Sequence, residues 1–281
     1  MVIEMTKINF QPVQMNTDYI SSHGKLYYEF MPAEGLRKYI CCYWVSPIIK
    51  DDRINQMKLL QRETVVPDGC IDVLFGTDIN ANGCRNVLVG TMSKGSIVNM
   101  EHSNIETFGV RFYPGGLQAL IKESSHKFTD KMEFVDTLGE NIFTEFENGM
   151  RKFHSIESKL RYANTYFTLK KQASIPWDNE FQNVLYRIYE TKGIIKIKDI
   201  TEGEVISEKQ LRRIFHNRVG ISTKTFIEIV RFQSILRRMN SKKYIKTVDL
   251  ALDAGYYDES HFIHEFNKFS GMNPSDYMTK I

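Results

Sequence analysis

The chain has 281 residues, more than one compact core usually organises, so length points to two domains of roughly 100–200 residues each. Its 42% hydrophobic, 12% aromatic and 25% charged residues exclude a disordered or fibrous protein. The net charge of +3 is too small to identify a partner, although residues 177–281 hold the whole excess, with 17 Lys+Arg against 14 Asp+Glu.

The amino terminus, MVIEMTKINFQPVQ, lacks the basic and apolar regions of a secretory signal, and no run of about 18 apolar residues follows. A cytoplasmic location without a membrane partner is expected. Up to about residue 113, short apolar or alternating runs recur at Lys25–Phe30, Tyr39–Val45, Cys70–Phe75, Val87–Val89 and Thr107–Phe112. Turn signals at Pro67–Gly69, Asn80–Gly83 and Pro114–Gly116 separate them, which predicts an antiparallel, β-rich, barrel-like unit. After Gly116 the spacing turns helical, with Leu117, Leu120 and Ile121, then Leu160, Tyr162, Ala163, Tyr166 and Phe167. Periodicity lapses over 170–176, the expected linker between a regulatory domain (1–169) and a second domain (177–281) that reads as helical throughout.

The second domain contains a repeat. On a shift of 51 residues, Ser207–Gly220 aligns with Asp258–Gly271. Each segment opens with a side-chain oxygen suited to cap a helix and ends at a glycine suited to a left-handed stop. Within them Leu211/Phe215 and Phe262/Phe266, each pair four apart, mark the buried face. Short helices at Ile197–Gly203 and Thr247–Ala254, followed by tight corners, complete two helix-turn-helix units, whose second helices are of the kind that enters the major groove.

With the apolar side buried, the first such helix presents Lys209, Gln210, Arg213, His216 and Asn217, with Arg212 at the margin, and the second Ser260, His261, His264, Asn267 and Lys268. Long donors and amides of this type pair with base edges and phosphates. The first face is the more cationic and is expected to dominate affinity. Between them Ser222–Asn240 predicts one helix about 27 Å long, a strut that lets two recognition helices address major-groove segments about 34 Å apart.

In these residues the chain resembles the AraC/XylS family of bacterial transcription regulators. The pattern runs from about Phe181 to Tyr277, is strongest over Ala251–Phe262, and continues through Phe266, Gly271, Pro274 and Tyr277, with Arg231 in the connecting helix. The resemblance implies base contacts by Lys209, Gln210, Arg212 and Arg213 in the first unit and by Ser260, His261 and His264 in the second. It also implies double-stranded promoter or operator DNA and RNA polymerase as partners, and no cofactor. His264 stands where the family often has arginine, and Thr223 where proline is common. The first half resembles, over Tyr43-Trp44, Val66–Phe75 and Gly109–Gly116, a sensor-like domain attached to some of these regulators. The expected architecture is α+β: a β-rich first domain with following helices, then an all-α domain with two helix-turn-helix units joined by a long helix.

The same sequence offers other chemistries. Cys41, Cys42, Cys70 and Cys84 lack zinc-site spacing, and neighbours on a strand point to opposite faces, so reduced structural thiols are expected and no metal site. His261, His264 and Glu265 read as part of a DNA-facing helix before a metal or acid–base cluster. Tyr43, Trp44 and Arg111 are candidates for an effector pocket, with Arg111 pairing an acidic ligand. No GxSxG, phosphate loop or dinucleotide signature occurs, so the chain does not read as an enzyme. The rival readings are a thiol-dependent alkyl-transfer protein of the damage-response kind and a ligand-independent regulator whose first domain only forms a homodimer.

Overall fold

A computed structural model describes residues 10, 12–13, 28–46, 61–78, 84–100, 105–135, 143–172, 179–241 and 246–279. Among these residues eight strands come first: β1 (Tyr28–Phe30), β2 (Ile40–Ser46), β3 (Gln61–Val65), β4 (Ile71–Asp78), β5 (Cys84–Val89), β6 (Ser96–Met100), β7 (Ile105–Phe112) and β8 (Met132–Phe134). Six form an antiparallel sheet in the order β1-β2-β7-β4-β5-β8, and β3 pairs with β6 in a separate ribbon. The β-rich reading holds, but the sheet does not close into a barrel among the described residues. The expected turn at Asn80–Gly83 lies outside them.

Side chains alternate across a strand, and this sheet uses both faces differently. One carries Tyr43, Val45, Val73, Phe75, Phe108, Val110 and Phe112, all buried. Helices α2 (Thr144–Met150) and α3 (Ile156–Gln172) cover it, with Phe146 4.8 Å from Phe75 and Phe167 5.6 Å from Phe112, ring centre to ring centre. The other face carries Trp44, Asp72 and Arg111; the register sets Asp72 of β4 opposite Arg111 of β7, and Trp44 of β2 opposite Gly109, two residues along β7. Because α3 runs to Gln172, the first three residues of the expected 170–176 linker are helical, and 173–176 lie outside the described residues.

The short α1 (Gly116–Ile121) and a 3₁₀ turn (Ser125–Phe128) link β7 to β8. The second half is all helical: α4 (Asn179–Glu190), α5 (Ile197–Glu204), α6 (Glu208–Arg218), α7 (Thr223–Ser241), α8 (Thr247–Asp253), α9 (Glu259–Ser270) and α10 (Pro274–Met278). Its apolar residues fall at helical spacing on α4, which buries Phe181, Val184, Leu185 and Ile188, and on α7, which buries Phe226, Ile227, Val230, Leu236 and Met239. Tyr277 of α10 is buried and donates to Asn240 at 2.6 Å, fixing the last helix to the end of α7.

The two halves share packing. Gly69 and Gly115 lie so close to Phe226 and Phe181 that an added Cβ would sit 2.6 and 2.7 Å from those rings. Gln233, fully buried on α7, donates to the Pro67 carbonyl at 2.9 Å and accepts from the Val13 amide at 2.7 Å.

Candidate nucleic-acid interface

Each helix-turn-helix is built on a cap. The Ser207 hydroxyl accepts from the Gln210 amide at 3.1 Å and the Asp258 carboxylate from the His261 amide at 2.7 Å, so α6 and α9 start where the sequence expects. Gly220 and Gly271 take φ of +93° and +72°, which ends both helices. The turns differ. In the first, Val205 is left-handed (φ +55°), Ile206 is buried and the cap follows; in the second, Gly255 is left-handed, Tyr256 is buried, and Tyr257, 92% exposed, is inserted before the cap. A strict 51-residue shift would pair Ile206 with Tyr257, whereas the buried turn residue is Tyr256.

On α6, Lys209, Arg212 and Arg213 are exposed and form no ion pair among the described residues. Gln210 is half-buried, and its amide donates to Glu180 at 2.9 Å, so it faces α4 more than solvent. His216 stacks on His126 of the 3₁₀ turn, ring centres 4.4 Å apart, at the opposite end of α6 from the cap. On α9, Ser260, His261, His264 and Asn267 are all exposed; Asn267 also donates to Asn273 at 2.9 Å, and Lys268 pairs with Glu228 at 2.9 Å.

His261 Nε2 lies 4.0 Å from Glu265, but the principal partners of that carboxylate are elsewhere. It is buried and takes a two-pronged bond from Arg231 of α7, at 3.1 and 2.7 Å, while the Tyr256 hydroxyl donates to it and the guanidinium lies over the Tyr256 ring. Burial disfavours the Arg231 charge, but the Glu265 bond outweighs it and holds that charge firmly. Burial, and then the same carboxylate, push the Tyr256 hydroxyl up, so it stays a neutral donor. Sequence singled out both Arg231 and Glu265, but not their pairing across 34 residues.

In the first half, Trp44 and Arg111 share one carboxylate. The indole donates to Asp72 at 2.9 Å and the Arg111 Nε to both Asp72 oxygens at 3.1 Å. Burial opposes the Arg111 charge, and Asp72 and Asp68 more than offset this. The Trp44 ring lies on Gly109, where no Cβ would fit. Tyr43 is 0% exposed on the opposite face, so it cannot line one pocket with Trp44 and Arg111. Cys42 and Cys70 are buried thiols; a bond with Cys41 and burial push Cys42 up, and burial and Asp68 push Cys70 up. Of the Cys84 side chain nothing is described.

Residues 204–280 match the family model described as a helix-turn-helix domain, and residues 28–133 match a domain of unknown function (DUF6597). With the two capped units and the long connecting helix, this decides the assignment. The second half is an AraC/XylS-type helix-turn-helix domain. Over 85 residues the chain is 28% identical to an "uncharacterized HTH-type transcriptional regulator" of Haemophilus influenzae. The match covers 30% of this chain and 28% of that protein's length. Solved structures of ToxT from Vibrio cholerae are also similar: that of strain O395 at TM-score 0.42 and 13% identity, over 79% of this chain and 95% of that one. A second, of wild-type ToxT bound to an unsaturated fatty acid, gives TM-score 0.38 and 14% identity, over 79% and 93%. Among the described residues, no helix is long and apolar enough to cross a membrane.

Proposed function

We propose that the protein is a sequence-specific transcription regulator that reads duplex DNA with α6 and α9 and is governed through its amino-terminal domain. The observation that carries the reading is the pair of capped helices on one scaffold, the first with Lys209, Arg212 and Arg213 exposed and unpaired among the described residues, the second with Ser260, His261 and His264 exposed. Uncommitted guanidinium and ammonium groups at the start of a recognition helix suit phosphates and guanine edges, and a hydroxyl with two imidazoles suits less charged base edges. Gln210, His216 and Asn267 have partners within the protein and contribute by relinquishing them. An effector or a protein signal acts on the sheet face of Trp44, Asp72 and Arg111, where an acidic ligand would exchange with Asp72 for the Arg111 guanidinium. RNA polymerase and a second copy of the chain are the protein partners.

The test is binding of the full chain to duplexes selected by it from a random library. Specific affinity should fall steeply with salt, since each neutralised phosphate releases counterions. Affinity no greater than that of a neutral control protein at about 50 mM salt would end the reading.

A further inference from the structure

The last carbonyls of a helix have no partner in their own helix and ordinarily turn to water. At the end of α6 the amino-terminal domain takes them. The hydroxyls of Ser124, Ser125 and Thr129 donate to the carbonyls of Asn217, Arg218 and Gly220 at 3.2, 2.7 and 2.7 Å. Ser125 is fully buried there, and a Cβ on Gly220 would sit 2.6 Å from the Thr129 hydroxyl, so the fit depends on glycine.

At the end of α9 a different loop of the same domain does likewise. The Gly95 amide donates to the Lys268 carbonyl at 3.2 Å, and a Cβ on Gly95 would collide with the Phe269 carbonyl. Both recognition helices therefore rest by their carboxyl ends on the first domain.

The connecting helix alone leaves each reader less constrained. It meets α6 near its own start, where Phe215 packs on Phe226 at 5.5 Å, and α9 near its middle, where Arg231 and Phe232 meet Glu265, Phe266 and Phe269. Within its own unit each reader is held further, α6 by α4 through Gln210 and Glu180 and α9 by α7 through Lys268 and Glu228, but these bonds do not set one unit against the other; a separate domain that holds both carboxyl ends does. Resting on the proposed DNA reading, we propose that the amino-terminal domain is a two-point clamp that fixes the mutual placement of α6 and α9 and so sets which half-site spacing the protein accepts. Ser125 and Thr129 at one point and Gly95 at the other are positioning residues for specificity, although none of them touches DNA.

The test uses the full chain and a duplex it selects from a random library, with the two half-sites then moved apart or together by one to three base pairs. A single half-site duplex serves as the control. The wild type should lose about tenfold or more in affinity off its preferred spacing. Ser125→Ala with Thr129→Val, and separately Gly95→Ala, should flatten that preference to within about threefold while single half-site affinity is kept. Thr129→Ser, which retains the hydroxyl, should keep the wild-type profile. If the double variant melts below the assay temperature, Gly95→Ala, at a loop position, decides alone. Clamp variants with the wild-type spacing profile would overturn the clamp; a wild type that selects no duplex would instead overturn the DNA reading beneath it.

Discussion

Arg213 and His264 occupy equivalent places in the two recognition helices, 51 residues apart, and both are exposed, so their difference is one of side-chain chemistry. Arginine keeps its charge and can grip guanine with two bonds, a contact worth about 1–3 kcal/mol of discrimination, which the shorter imidazole cannot match. Arg213→Ala should thus weaken operator binding more than His264→Ala at fixed salt and pH; equal losses would mean that α9 is the principal reader. The thiols give a second residue-scale outcome. Cys42 and Cys70, pushed above their ordinary value of 9.0, stay protonated and poorly nucleophilic in the folded chain, so maleimide should label them only after denaturation. Since unfolded thiols ionise first as pH rises through that ordinary value, the stability held in these two groups is full below it and lost as pH rises further. Rapid labelling of native Cys70 would favour the alkyl-transfer reading.

At the scale of elements, the helix-turn-helix units were legible because each is encoded locally. Caps, apolar residues four apart and terminal glycines lie within a dozen residues, and the observed α6 and α9 begin one residue after the caps named from sequence. The ribbon strands β3 and β6 were not read, since Gln61–Val65 and Ser96–Met100 carry no clear alternation with a turn between them. The inserted Tyr257 escaped for a different reason: a repeat found by a constant shift hides a one-residue difference in turn length. Least legible were pairings across long separations, such as Arg111 with Asp72 or Ser125 with Arg218, because nothing near either residue specifies the other. The Arg231–Glu265 pair belongs here too, as it ties α9 to α7. Removing one member of a buried pair typically costs about 3–5 kcal/mol by leaving the other charge stranded. Glu265→Ala should lower stability by about that much in urea unfolding, and a loss under about 1 kcal/mol would show that water already screens the pair.

For the whole molecule, the two halves share a seam. Gln233 bridges to Pro67 and Val13, and Gly69 and Gly115 admit Phe226 and Phe181. Gln233→Ala should leave buried amide and carbonyl groups unpaired, at about 1–3 kcal/mol, and lower the melting temperature of the full chain while leaving that of the isolated 177–281 fragment little changed. Equal shifts in both would place the effect inside the second half. If two helices of one chain read adjacent stretches of one duplex, hydroxyl-radical footprinting of the full chain on its selected duplex will register both. Two protected segments on one face, about one helical turn or 10 base pairs apart, with one of them lost in Arg213→Ala, is the predicted result. A single protected segment unaffected by Arg213→Ala, or no protection at all, would contradict it.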